Sequence, residues 1–164
     1  MKLKEMFNQQ SVGELADTLH RIYPAFDRQA FSARVFDREW ESRELKERMR
    51  HITTGMHDYL PLDYRAALRI LHQALPLVEK QGFEKMVFHD YVELYGLDDW
   101  DASMAALEVF TQHISAEFAI RPFAVREQER TMARMLSWAE HKSPEVRRLA
   151  SEGCRPRLPW GIRL

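Results

Sequence analysis

Apolar residues recur along this chain at three- and four-residue intervals and almost never alternate with polar ones. Leu15, Leu19 and Ile22 form the first such run, which a capping-box spacing from Ser11 to Glu14 opens and Pro24 stops. Asp27 is placed to cap a second helix with Phe31, Val35 and Phe36 inward. A third runs from about Ser42, with Leu45, Met49, Ile52 and Met56 on one side. Its other side (Arg43, Glu44, Lys46, Glu47, Arg48, Arg50) reads as a solvated face of i, i+4 charge pairs. Pro61 and Asp63 open a fourth helix bearing Leu68, Leu71 and Leu75, and Pro76 ends it. Residues 77–96 carry a weaker pattern, with a short helix expected at His89–Tyr95, closed by Gly96. Leu107, Phe110, Ile114 and Phe118 predict a helix from about Asp101 that Pro122 interrupts. Met132, Met135, Leu136 and Ala139 predict the next. Ser143-Pro144-Glu145 supplies an N-cap, a first-turn proline and a first-turn acid for a last helix carrying Val146, Leu149 and Ala150 and ending at Gly153.

No alternating run is flanked by hairpin turns, so no strand is predicted. Seven or eight helices joined by short turns, pairing at about forty residues, suit an all-α array of HEAT-like repeats, an α-solenoid. Repeat-to-repeat similarity is poor, and a compact helical bundle fits the pattern nearly as well. The length of 164 residues is that of one domain able to bury a core. The composition, 45% hydrophobic and 30% charged, is globular. Cys154 is the only cysteine, so no intrachain disulfide forms and a reducing compartment is the default. No apolar stretch approaches the length of a membrane span or a signal sequence.

The net charge of −1 hides an asymmetry. Residues 121–164 hold ten Lys/Arg against five Asp/Glu, whereas the first 120 hold fourteen against twenty. A basic end on an acidic body points to a polyanion, although a solvated basic end has the same charge count. There is no Gly-rich phosphate loop and no CxxC pair. His51 and His57 lie six apart, which does not place two metal ligands on one helical face. Trp138 reads as packing, and Trp100 as the anchor of an acidic turn.

Two segments resist a purely structural reading. In "SAEFAIRPF" (115–123), Glu117 stands in an apolar stretch, where a carboxylate is either ion-paired, here with Arg121 at i, i+4, or functional. In "VRRLASEGCRPRLPW" (146–160), arginines surround the single acid Glu152 and precede Trp160. Guanidinium groups suit phosphates, and an indole face suits a cation or a sugar.

These stretches carry a resemblance. With "LKERMRHI" (45–52), "LPLDYRAALRIL" (60–71), "FTQHISAEFAIRPF" (110–123) and "WAEHKSPEVRRLASEGCRPRLPW" (138–160), the whole chain resembles AlkC, a family of bacterial alkylbase DNA glycosylases related to AlkD and built from HEAT-like repeats. The resemblance implies hydrolysis of the N-glycosidic bond of N3-methylated bases (3-methyladenine and 3-methylcytosine) in duplex DNA. It implies no metal and no organic cofactor, and attack without flipping the base into a pocket, unlike most glycosylases. It also implies a monomer in the bacterial cytoplasm, at the nucleoid during repair. The family's motif carboxylates map to Glu117 and Glu152 and its motif tryptophan to Trp160. Charge makes Arg121, Arg147, Arg148, Arg155 and Arg157 candidates for holding phosphates or these carboxylates.

The chemistry suits the residue types. An N3-methylated base is a cationic, good leaving group, and the sugar gains oxocarbenium character as the bond breaks. Carboxylates stabilise that charge and orient the attacking water. Family members are longer, and a further catalytic aspartate is expected beyond Leu164, so residues 1–164 resemble the N-terminal part of a longer glycosylase, without its C-terminal repeats. Three readings stay open: a glycosylase domain, a shortened DNA-binding module without turnover, and a helical protein-interaction scaffold.

Overall fold

The computed structural model describes residues 3–78 and 82–164. Among them every regular element is helical: α1 (Gln9–Ile22), α2 (Arg28–Val35), α3 (Leu45–Tyr59), α4 (Tyr64–Ala74), α5 (Met86–Tyr95), α6 (Trp100–Phe110), α7 (Ile120–Arg126), α8 (Gln128–Ala139) and α9 (Pro144–Gly153), with short 3-10 turns between some of them. Two compact units divide within α5, one reaching Tyr91 and the other running from Val92 to Leu164.

In the first unit α1 packs on α2 and α4, and α2 packs on α3. The helices start where capping chemistry dictates, with one shift. Asn8, not Ser11, caps α1. Its side chain accepts from the Gln10 and Ser11 amides, while the Ser11 hydroxyl accepts in return from the Asn8 amide. Ser11 therefore occupies the reciprocating position of the box, three residues into the motif. Asp27 and Asp63 cap α2 and α4 as expected. Leu15, Leu19, Phe31, Val35, Met49, Ile52, Met56, Leu68 and Leu71 are buried, and Phe36 and Leu45 are half-buried. The helix expected at His89–Tyr95 begins earlier, at Met86, and residues 79–81 of that weak stretch lie outside the described residues.

The polar side of α3 is solvated only in part: Glu44, Lys46 and Glu47 are exposed, whereas the three arginines turn to tertiary partners. Arg48 is buried, stacks 4.6 Å over the Trp40 ring and donates to the carbonyls of Lys4, Phe7 and Arg43. Arg50 grips the buried carboxylate of Asp90, and Arg43 pairs with Asp37. These charges fix tertiary contacts rather than lining a helix with i, i+4 pairs.

In the second unit α7 packs on α8 and α8 on α9. The helix predicted through Phe118 stops at Phe110, and Ile114 and Phe118 lie in a turn that runs to Ala119. Pro122 does not interrupt a helix. It is the third residue of α7, within the first turn, where its missing N–H has no helical acceptor to lose. On α8 the buried face is Thr131, Met135 and Trp138, while Leu136 is exposed. Thr131 is inward because its hydroxyl links two elements: it accepts from the Trp100 indole at 3.0 Å and donates to the Phe123 carbonyl at 3.1 Å. Trp138 is a packing residue, its indole donating to Glu108. Ser143 caps α9 as expected, and Val146, Leu149 and Ala150 are buried. The Ser143 hydroxyl also donates to Glu145, and this bond, first among its causes, lowers the Glu145 pKa.

Candidate functional site

The site is built where the start of α7 meets the end of α9. Gly153, the last residue of α9, makes this junction close. A Cβ there would stand 2.7 Å from Ile120 Cγ2 and 2.7 Å from Met135 Cε, so any larger residue would have to displace these side chains. Glu152 precedes it, and Ile120 is the first residue of α7. Glu117 lies three residues before α7, in the turn after α6. The two glutamates thus flank one junction without bonding each other.

Each carboxylate is half-buried and held by one neighbour. The Ser115 hydroxyl donates to Glu117 Oε2 in a short hydrogen bond. Arg155 Nη1 donates to Glu152 Oε2 at 2.8 Å. Neither bond engages Oε1 of either residue. The expected i, i+4 pair between Glu117 and Arg121 is absent among the described residues, because Glu117 is not on a helix and the guanidinium turns elsewhere.

Arg121 departs furthest from expectation. A phosphate contact needs an exposed guanidinium, and Arg121 is fully buried. Its Nε donates to the Ile162 carbonyl, Nη1 to those of Gly153 and Arg155 at 3.1 and 2.7 Å, and Nη2 to Pro156 at 3.2 Å. Burial lowers its pKa from the usual value. No carboxylate pairs with it among the described residues, so main-chain oxygens alone replace its water shell.

Those carbonyls belong to the segment that carries Trp160. Leu158–Gly161 is a β-turn closed by the Gly161 amide on the Leu158 carbonyl at 3.0 Å, with Pro159 second and Trp160 third at φ +64°. A proline followed by positive φ is the type II pattern, whose third position favours glycine or asparagine. A bulky residue there costs about 1–3 kcal/mol. Among the described non-glycine residues only Trp160 has a positive φ, and its side chain is 58% exposed. The tail folds back beyond it, the Leu164 amide donating to the Pro156 carbonyl.

The remaining arginines separate into two groups. Arg147 is exposed but donates to the carbonyls of His141 and Lys142. The side chains of Arg148, Arg157 and Arg163 are exposed and engage no partner among the described residues. Arg163 and Ser115 were not singled out in the sequence. Arg163 was visible in principle, as another arginine of the same basic tail, whereas nothing about Ser115 announced its bond to Glu117. No cluster of three or more His, Cys, Asp or Glu fit to hold a metal occurs among the described residues. No helix among them is long and apolar enough to cross a membrane.

No family model matches the chain. A Bacillus subtilis (strain 168) protein described as the uncharacterized protein YhaZ is 45% identical over 159 residues, covering 97% of this chain and 44% of that protein. The solved structure of Pseudomonas fluorescens alkylpurine DNA glycosylase AlkC, bound to DNA containing an abasic site analog, superposes with a TM-score of 0.95 at 40% identity, covering 100% of this chain and 45% of that one. The chain belongs to the AlkC family. It shares the all-α, helical-repeat AlkC fold along its whole length and spans about half the length of these relatives.

Proposed function

We propose that this chain serves DNA alkylation repair, as the part of an AlkC-type glycosylase that grips duplex DNA at an N3-methylated base and bears carboxylates for cleaving its N-glycosidic bond. The observation that carries this reading is Trp160: a large aromatic side chain, exposed, at a backbone conformation that costs free energy, next to unpartnered arginines. A strained backbone that presents a largely exposed aromatic ring is an arrangement that clusters at ligand contacts. The AlkC of Pseudomonas fluorescens, bound to DNA with an abasic site analog, favours DNA as that ligand.

In this reading Arg148, Arg157 and Arg163 neutralise phosphates, and the Trp160 face packs against the cationic nucleotide. Glu152 and Glu117, each with Oε1 open, stabilise the developing oxocarbenium ion and orient water on the sugar. The preferred substrates are 3-methyladenine and 3-methylcytosine, whose positive charge makes the base a good leaving group without strong acid catalysis. The chain corresponds to the N-terminal part of a longer glycosylase and acts as a monomer.

The test is release of free methylated base from N-methylated duplex DNA, with Glu152→Gln as control. Release that the substitution abolishes supports catalysis by this chain. Salt-dependent duplex binding without release supports the binding half of the proposal alone. Neither binding nor release overturns it, and leaves the interaction-scaffold reading.

A further inference from the structure

We propose that Arg121 is a positioning residue, which holds the Trp160 turn in its strained, outward conformation before any DNA arrives. The inference rests on the reading of Trp160 as a lesion contact. Arg121 itself touches no ligand in this account.

The geometry points there in three ways. First, the guanidinium gathers carbonyls from both sides of the turn: Gly153, Arg155 and Pro156 before it, Ile162 after it. A planar fork that bonds both flanks of a short loop fixes the loop's ends relative to each other. Second, Gly161 lies directly on the guanidinium arm. A Cβ at that position would stand 3.2 Å from Arg121 Cδ and 3.2 Å from Nε. The residue after Trp160 is thus seated on the clamp. Third, a fully buried arginine without a carboxylate partner is an uncommon and costly arrangement, and nothing in the α7–α8 packing requires a cation there. Apolar neighbours would serve α7 as well. What a cation alone supplies is the capture of several main-chain oxygens at once, of which those of Gly153, Arg155 and Ile162 accept no amide among the described residues.

The consequence is preorganisation. Without such a clamp, the segment "PWGIRL" would relax Trp160 out of the left-handed region and sample many conformers. Ordering it on DNA would then cost affinity at the moment of binding. With the clamp in place, that ordering is already done in the unbound protein, and the clamp ties the turn to the end of α9, which bears Glu152. The tryptophan and the carboxylate then move as one body.

The test uses the full chain labelled with 5-fluorotryptophan, with the Trp160 signal assigned by its loss in Trp160→Phe. Arg121→Lys keeps the charge but cannot reproduce the fork. The expected result is a 19F resonance of Trp160 shifted toward that of the unfolded chain, while the buried Trp100 and Trp138 resonances hold. Binding to a duplex with an abasic-site analogue should then weaken about tenfold relative to an undamaged duplex, with the salt dependence unchanged. An unmoved Trp160 resonance in Arg121→Lys overturns the clamp. A moved resonance with unchanged preference for the abasic duplex leaves the clamp standing and sinks the lesion-contact reading. If the Trp100 and Trp138 signals also collapse, Gly161→Ala decides, because it presses on the Arg121 arm and keeps the guanidinium. A displaced Trp160 resonance there supports the clamp, and an unchanged one overturns it.

Discussion

Arg155 donates to Glu152 across 2.8 Å, one turn of chain apart, and it engages only the Oε2 atom of the carboxylate. Both partners keep contact with solvent, Arg155 the more exposed at 57%. The pair therefore adds little to stability, since exposed ion pairs contribute about 0.2–1 kcal/mol. Its effect is orientational: it turns one carboxylate edge inward along the chain and leaves the other edge open.

This separates Arg155 from its neighbours on DNA. Arg157 and Arg148 have no partner to give up among the described residues, so in the proposed reading each neutralises a phosphate, whereas Arg155 is already committed to Glu152. Arg157→Ala and Arg148→Ala should each reduce the slope of log K against log salt by about 0.9. Arg155→Ala should leave that slope nearly unchanged and should loosen Glu152 instead. Titrations of duplex DNA at several salt concentrations check this. A full unit lost on removing Arg155 would make it a phosphate contact.

Thr131 predicts a loss of stability that its polarity conceals. It is fully buried, and its hydroxyl satisfies both the Trp100 indole and the Phe123 carbonyl. Thr131→Val keeps the shape but leaves the Trp100 indole unpaired, while the Phe123 carbonyl keeps the Glu127 amide, so the loss should be about 1–3 kcal/mol. Thermal unfolding should fall by roughly 2–12 °C for a domain of this size. Thr131→Ser retains the hydroxyl and should lose about 1 kcal/mol through the missing methyl.

The same residue shows where the sequence stopped speaking. Leucine, isoleucine and valine at helical spacing located most helices, and Asp27, Asp63 and Ser143 announced three starts. On α8 the apolar pattern of Met132, Met135, Leu136 and Ala139 includes the buried Met135 but passes over Thr131, because a buried threonine looks like a surface one. At Ser11 the capping box was seen three residues late, since Asn8 and Ser11 share the bonds of one motif. At the site, Glu117, Glu152 and Trp160 stood out by residue type. Arg121 stood out as a cation beside Glu117, but its role did not, as its partners lie 32 to 41 residues away and are main-chain oxygens that no side-chain pattern reports. The positive φ of Trp160 was hidden as well, although "LPWG" has the proline of a type II turn.

His51 makes stability depend on pH. It lies against Asp37, at 3.2 Å, and beside Arg34 and Arg43. Burial lowers its pKa below the ordinary 6.5, with the Arg43 and Arg34 charges in the same direction and Asp37 opposing. The unfolded chain therefore takes up this proton first as pH falls. The contribution of His51 is complete above pH 6.5 and is lost as pH drops through the lower folded value. Burial lowers His72 in the same direction, while the lowered pKa of Asp37 acts only below its ordinary 3.8. Urea unfolding on either side of pH 6.5 should show stability falling toward acid, with a smaller fall in His51→Gln. An equal fall in that variant would assign the dependence to other groups.

Trp160 offers the sharpest separation of fold from function. A residue retained for packing loses stability when replaced, and one retained for contact at a strained position need not. Asparagine tolerates the left-handed region better than tryptophan and costs no extra unfolded-state entropy as glycine would. Trp160→Asn removes a side chain that is already 58% exposed. Relief of the backbone strain should offset the lost contact, leaving stability unchanged or higher by up to about 1 kcal/mol. Preference for duplex DNA with an abasic-site analogue over undamaged duplex should fall in the same variant. Calorimetric unfolding and paired DNA titrations on one preparation give both values. A clear drop in unfolding temperature with binding preference intact would make Trp160 a packing residue and remove the observation on which the proposed function rests.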